Sequence, residues 1–334
     1  MKAVRLRHPA SLANLRLEDM DAPPPGPGEI SVRIRVVSLN FRDSLVVKGF
    51  FPAADGLVPL SDGAGEVTAV GEGVSGFSPG DAVVSTFHPA WRDGHIERSE
   101  LTTSPGGPAD GYAAQLVTRS TDHFTLAPKG LSHAEAATLT CAGVTAWRAL
   151  ADGPVRAGDV VLVQGTGGVS LFALQFAKAA GATVIATSSS AERCERLKAL
   201  GADHVINYRE TENWGAAAAA LTGGIGVDHV IEVGGPHSMP QSLIAARTGG
   251  HIAIIGAVGG FDIDNIPFAI VQAKRLRLQG VTVGSRADQL AMIRAIEANA
   301  IRPVIDSSVP LERLADGFAR LDAGGHFGKI VVEV

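Results

Sequence analysis

The chain has 334 residues, is 46% hydrophobic and carries a formal net charge of −5, which allows a large core and, by length, two domains. Mild acidity argues against a broad nucleic-acid surface. Two cysteines, Cys141 and Cys194, are too few for a disulfide framework or a four-cysteine zinc site, and they fit a reducing cytoplasm.

The start of the chain has no apolar core of signal-peptide length, and no run reaches membrane-spanning length. A cytoplasmic protein with no membrane partner is therefore expected. Up to about residue 126 the pattern is strand-rich. EISVRIRVVSL alternates apolar and polar residues, while GEVTAVGEGV and DAVVSTF are short strand-like runs bounded by glycine and proline. PPPGPG and SPGGPADG are loops. Ser132 and Glu135 form a capping box that opens a helix.

From Val160 the rhythm changes. VVLVQ, TVIAT, HVIN, VDHVIEV, HIAIIG and LRLQGVTV are Val/Ile-rich runs of the kind buried on both faces of a parallel sheet. Helices are predicted between most of them, over 191–200 and 242–247 among others, each closed by a glycine. The pattern gives an α/β fold with a doubly wound parallel sheet. Two more helices, over 287–298 and 311–321, precede a last strand, KIVVEV.

Between the first strand of this series and its helix stands Gly165-Thr166-Gly167-Gly168-Val169-Ser170. A glycine-rich turn in that position is a dinucleotide loop. Gly165 permits the tight turn, Gly167 and Gly168 let a pyrophosphate approach the backbone, and the helix N-terminus offers free N–H groups. Ser170 replaces the last glycine of the usual fingerprint but is still small.

The end of the next strand selects the cofactor. An NAD site places Asp or Glu there to accept from the ribose 2′-OH. This chain has Thr187, Ser188, Ser189 and Ser190. Hydroxyls from Ser188 and Ser189, a cation from Arg193 and a cover from Tyr208 suit a 2′-phosphate, so NADP(H) is the expected cofactor. A plainer reading makes Ser189 and Glu192 a capping box, with Arg193 on a solvated face.

SLNFRDSLVVKG, PLSDGAGEVTAVGEGVSGFSPGD, LTCAGVTAW, VLVQGTGGVS, LGADHVINY, GVDHVIEVGG and HFGKIVV resemble the medium-chain dehydrogenase/reductase superfamily, most of all its zinc-free, quinone oxidoreductase-like branch. The resemblance covers essentially the whole length. It implies a GroES-like, mainly β catalytic domain over 1–126 and 285–334 and a Rossmann domain over 127–284, with an active cleft between them. It also implies a homodimer joined through the sheet edge near residues 281–283. The nicotinamide end would rest on Gly256, Ala257 and Val258 and on Val283, Gly284 and Ser285, mainly through backbone groups. Gly234 and Gly235 would lie near the adenosine ribose. Lys329 either reaches the pyrophosphate or is an ordinary exposed lysine.

Alcohol dehydrogenases of the superfamily hold a catalytic zinc with Cys, His and Cys. At the matching positions this chain has Asn40, Ser61 and Cys141, with Asp62 for the neighbouring Glu. Asn and Ser are poor zinc ligands, so no metal is expected. His88 and His95, on the segment that replaces the cysteine-rich lobe, are read as loop residues. Without a Lewis acid, alcohol oxidation needs another base. Reduction of a quinone, an enone or a similar electrophilic carbonyl compound is less demanding, because the negative charge gathers on a delocalised oxygen.

Asn40 is the first choice as a polar anchor for substrate or ribose; the alternative is a cap on the helix that follows. Asp43 either holds Arg42 and the cofactor side or is a solvated first-turn acid. Asp62 either faces the site or stabilises a turn. Cys141 reads more readily as a packing residue than as a reactive one. Thr145 touches the nicotinamide or bonds back within its helix. Phe50, Phe87 and Trp91 are candidate walls for an apolar substrate, and Tyr112 is a weak candidate proton donor. The expected activity is zinc-independent, NADPH-dependent hydride transfer to an electrophilic small molecule. The alternatives are a zinc-free alcohol/carbonyl enzyme and an NADPH-binding sensor without turnover.

Overall fold

A computed structural model describes residues 1–256, 260 and 266–334, apart from the side chain of Thr102. The chain divides into two compact units, one made of Met1–Val144 with Gly284–Val334 and the other of Thr145–Val283.

The first unit begins with β1 (Lys2–Leu6) and β2 (Leu15–Asp19), which pair antiparallel. There follow β3 (Glu29–Ser38), α1 (Phe41–Val47), β4 (Asp62–Val70), β5 (Ala82–Ser85), β6 (Leu116–Ser120), β7 (Phe124–Leu126) and α2 (His133–Ala137). Alternation in β3 does what the sequence asks. Ile30, Val32 and Ile34 enter the core while Arg33 and Arg35 stay exposed. The predicted capping box at Ser132 and Glu135 is present. After α2 the chain makes a π-helical turn at Leu139–Gly143 that carries Cys141.

The second unit opens with α3 (Val144–Asp152), whose first residue still belongs to the first. It continues with β8 (Val160–Gln164), α4 (Gly168–Ala179), β9 (Thr183–Ser188), α5 (Ala191–Ala199), β10 (His204–Asn207), α6 (Trp214–Leu221), β11 (Val227–Glu232), α7 (Met239–Ala245), β12 (Ala246–Ile254), α8 (Phe268–Ala273) and β13 (Arg277–Gly280). The six strands form one parallel sheet in the order β10-β9-β8-β11-β12-β13. That is the doubly wound dinucleotide-binding order, with its switch point between β8 and β11. Leu162, Ile185, Val230 and Ile252 share a core with Leu243 and Trp214.

In this unit a helix end and a strand end differ from expectation. The helix predicted over 242–247 ends at Ala245, and Ala246 already pairs with Val227 as the start of β12. Gly249, taken as the stop signal, lies with Gly250 inside that strand, where the register shifts and Gly249 adopts φ 76°. The strand expected through Val283 ends at Gly280, and Val283 itself has φ 54°.

The chain then returns to the first unit as α9 (Arg286–Asn299), β14 (Ile305–Pro310), α10 (Leu314–Asp322) and β15 (Lys329–Glu333). The first turn of the helix expected from Leu311 is 3-10, so α10 starts at Leu314. The larger sheet of this unit runs β14-β15-β3-β4-β5-β7, with β6 also on β3. Placing β15 beside β3 brings Lys329 next to residues 39 and 40, far away in sequence. No helix among the described residues is long and apolar enough to cross a membrane.

Candidate functional site

In the second unit, β8 ends at Gln164 and the chain turns at Gly165, whose φ of 74° is open only to glycine without strain. The Gly165 N–H donates to Thr187 O at 2.8 Å, tying the loop to β9. Gly167 caps α4, Gly168 is its first residue and Val169 follows. A Cβ built on Gly167 meets nothing within 4 Å, so glycine there leaves open space above the loop rather than relieving a clash. Thr166 is buried, and Ser170 donates to Gln164 O at 2.5 Å. The hydroxyl at the departed glycine position thus braces the turn.

At the end of β9, Ser188 is 1% exposed, and its hydroxyl has no hydrogen-bond partner among the described residues. Ser189 accepts from Arg193 Nη1 at 3.1 Å. The cap of α5 is Ser190, which accepts from the Arg193 N–H. The capping box expected from Ser189 and Glu192 does not form: Ser190 is a simple N-cap, and Ser189 is left for the guanidinium. The Tyr208 N–H donates to Ser188 O at 3.0 Å, so Tyr208, half exposed, stands beside that serine. These four residues form one group.

Two residues that sequence reasoning passed over organise this end of the sheet. Gln164 closes β8 and Glu232 closes β11. The Gln164 amide donates to Glu232 at 2.8 Å, and its oxygen accepts from the Val233 and Gly234 N–H groups. Glu232 also accepts from the N–H groups of Gly234 and Gly235 at 2.8 and 2.9 Å. A signal was present: both are polar residues that end otherwise apolar strands. Gly256 donates to Glu232 O, while Ala257 and Val258 lie outside the described residues. Thr145 is buried at the start of α3.

In the first unit, Asn40, Asp43, Asp62 and Lys329 come together. Leu39 N donates to Ile330 O, fixing the residue before Asn40 on β15. Lys329 is 4% exposed and donates to Leu39 O and to Asn40 Oδ1. The exposed-lysine reading is thereby corrected, because the strand that carries Lys329 is central to its sheet. Asn40 is the N-cap residue of α1, and its N–H donates to Asp43 at 2.8 Å. Its Nδ2 is buried without a hydrogen bond of good geometry. With Oδ1 fixed by an ammonium, the amide can present only a donor.

Asp43 is buried and touches Arg42 at 3.3 Å, which corrects the solvated-acid reading. Burial pushes its carboxyl up to about 6, with Arg42 opposing and Asp62 adding to the rise. Asp62 opens β4 and accepts from Ser61 Oγ at 2.7 Å and the Cys141 N–H at 3.2 Å. It stabilises no turn. Burial raises its pKa, while Lys329 and then the Asn40 amide oppose the rise. Cys141 keeps some exposure as a residue, yet its thiol is enclosed and pushed up by burial first and Asp62 second.

The proposed walls separate. Phe50 is 72% exposed, whereas Phe87 and Trp91 are buried. Phe87 lies under Arg42, 5.0 Å from the guanidinium carbon, and edge-on to His88. His88 is buried with neither ring nitrogen bonded, and burial lowers its pKa to about 4. Tyr112 packs in the core among Leu60, Val83 and Phe124, its hydroxyl 3.3 Å from His123 Nδ1. Burial raises its pKa, and it is not grouped with Asn40. Ser285 caps α9, and both its N–H and its hydroxyl donate to Asp288.

Residues 26–129 match the family model of the alcohol dehydrogenase GroES-like domain, and residues 168–298 that of zinc-binding dehydrogenases. A zinc-type alcohol dehydrogenase-like protein of Schizosaccharomyces pombe is 41% identical over 96% of this chain and 95% of its own length. The acryloyl-coenzyme A reductase of Sulfurisphaera tokodaii is 29% identical over the full length of both. A crystal structure of an NAD-dependent alcohol dehydrogenase, 36% identical, superposes with a TM-score of 0.91 over the whole of both chains. The open glycine loop on a doubly wound sheet, the mainly β first unit and these matches establish that the chain belongs to the medium-chain dehydrogenase/reductase superfamily and is an oxidoreductase that uses a nicotinamide cofactor.

Proposed function

We propose that this enzyme reduces a quinone, an enone or another electrophilic carbonyl compound, that it draws on NADPH, and that it needs no zinc. The observation that carries the reading is the state of Asn40: its oxygen is held by Lys329, so the amide can act only as a donor, with Nδ2 buried on the Asp62 side and in no hydrogen bond of good geometry. A donor so fixed suits an oxygen that gains negative charge during reduction. The cofactor supplies the hydride when bound. Residues 165–168 and the open space over Gly167 fit its pyrophosphate.

The residues at the superfamily's zinc positions do not fit that metal. Asn40 Oδ1 is already used by an ammonium and Ser61 donates to Asp62, which leaves Cys141 as the one soft ligand of the set. The acryloyl-coenzyme A reductase relative supports a polarised double bond as the reacting group. For the cofactor, the unpartnered Ser188 hydroxyl and the Arg193 guanidinium held by Ser189 favour a 2′-phosphate.

The test is an anaerobic screen of NADPH and NADH oxidation with quinones, enones, enals and enoyl thioesters, with metal content measured on the same sample. NADPH oxidation by at least one such acceptor in metal-free protein is expected. One tightly held zinc per chain, whose removal abolishes turnover, overturns the proposal. The alcohol dehydrogenase names among the relatives favour a second reading, zinc-free interconversion of alcohol and carbonyl. Turnover with alcohols alone, lost in Asp62→Asn, would select it. The homodimer and the cytoplasmic location belong to the same proposal, with gel filtration and fractionation as their tests.

A further inference from the structure

Glu232 is 0% exposed. Its carboxylate is met by the N–H groups of Gly234 and Gly235, by Ser238 Oγ at 2.5 Å, by the Gln164 amide and by Ser242 Oγ. Every one of these partners is a neutral donor. A buried negative charge without a paired cation is costly unless its oxygens are fully hydrogen-bonded, and packing alone would be served better by an apolar residue. The position is therefore best explained by what the donors gain. β8 and β11 are the two strands that border the switch point, and dinucleotides bind at the carboxyl ends of strands at such a point. Ile231 pairs with Val163, so the next residues, Glu232 and Gln164, end these strands side by side.

We infer that Glu232, acting through Gln164, is a positioning residue for the nicotinamide cofactor. One carboxylate oxygen sets the backbone of 234–235. The other sets the Gln164 side-chain amide, while the backbone carbonyl of the same residue accepts the Ser170 hydroxyl of the phosphate loop. The carboxylate touches no reacting atom. It orders two loops whose backbones would otherwise pay for ordering when the cofactor binds. The inference holds for NADH or NADPH and does not depend on the acceptor or on the absence of zinc.

The test pairs Glu232→Gln with the exchange Gln164→Glu/Glu232→Gln. The exchange keeps one carboxylate and one amide in contact, so an acceptor pair remains for most of the same donors. NADPH and NADH affinities are read by protein-fluorescence titration, with kcat, KM and the unfolding midpoint on the same samples. The single variant should bind both cofactors at least tenfold more weakly and raise the cofactor KM, while kcat at saturating cofactor stays within about threefold. The exchange should recover most of the affinity. Unchanged affinity in the folded single variant overturns the inference. So does an exchange that restores the unfolding midpoint without restoring affinity, which is the mark of a merely structural role. If Glu232→Gln does not fold, Ser242→Ala strips one donor and keeps the charge: weaker binding of both cofactors supports the inference, and unchanged binding overturns it. A failed acceptor screen with intact cofactor binding leaves this result readable.

Discussion

Arg193→Ala separates the two cofactors. Arg193 lies in the first turn of α5, part-buried, with Nη1 on Ser189 Oγ at 3.1 Å. No carboxylate among the described residues forms an ion pair with its guanidinium, so its charge is open to a ligand. A hydrogen bond to a charged group is worth about 1.5–3 kcal/mol. The lower end applies here, because a phosphate contact must share or displace the Ser189 bond and the site is partly open to water. A loss of roughly 1.5–2 kcal/mol is about 10–30-fold in affinity. NADPH binding should weaken by that factor while NADH binding stays within about twofold. The assay is a direct titration of both reduced cofactors onto wild type and variant at low and at high salt. The wild-type preference for NADPH should shrink as salt rises, because screening weakens a partly exposed ion pair. An equal effect on both cofactors, or none on NADPH, would refute the assignment of Ser188, Ser189, Arg193 and Tyr208 to a 2′-phosphate.

Gly167→Ala meets no atom within 4 Å, so the unliganded unfolding midpoint should stay within about 2 °C of wild type, while cofactor affinity falls more than tenfold because the methyl enters the pyrophosphate space. Strong binding by this variant would remove the loop from the site. For Asp43 the folded pKa of about 6 lies above the ordinary 3.8. Its contribution to stability is fully present below about pH 4 and is lost as pH rises through about 6, a difference of about 3 kcal/mol. Asp62 shares the cluster, and its charge adds to the rise of the Asp43 pKa. Asp43→Asn should flatten the fall in the urea midpoint between about pH 4.5 and 6.5; an unchanged profile would contradict the burial argument. Tyr112→Phe should cost about 1 kcal/mol of stability and leave kcat/KM within about twofold, and a hundredfold loss of activity would restore Tyr112 as a proton donor.

The fold was readable wherever burial imposes a period. Both-sided burial writes β8 as an apolar run of Val and Leu and places Val-Ile pairs at the heart of β9 and β11, and glycines mark most joins. The misread boundary at 242–250 shows the limit of that logic. Gly249 looks like a helix stop, yet parallel pairing of Ala246 with Val227 outweighs local propensity and absorbs two glycines as an irregular strand. In the same way Ser190, not Ser189, became the cap, since any of three adjacent serines satisfies the rule and only the strand end decides which one is in place.

The site divides along the same line. The glycine loop is a local feature whose function follows from backbone geometry, so its residues could be named from spacing alone. Asn40 could be named as well, though its state could not, because that state depends on a partner at the other end of the chain. Lys329, in the terminal HFGKIVV, reads from the sequence either as a pyrophosphate contact or as an ordinary exposed lysine. It is buried because β15 is inserted between β14 and β3, and that pairing carries Nζ to Leu39 and Asn40. A lysine ammonium is tolerated at such a position when hydrogen-bond acceptors and carboxylates surround it. Asp62 supplies the charge, Asn40 Oδ1 the acceptor, and the amide is left with only its N–H₂ to offer. The chemistry of the first unit is thus set by a long-range strand pairing, whereas that of the second is set by a turn of six residues.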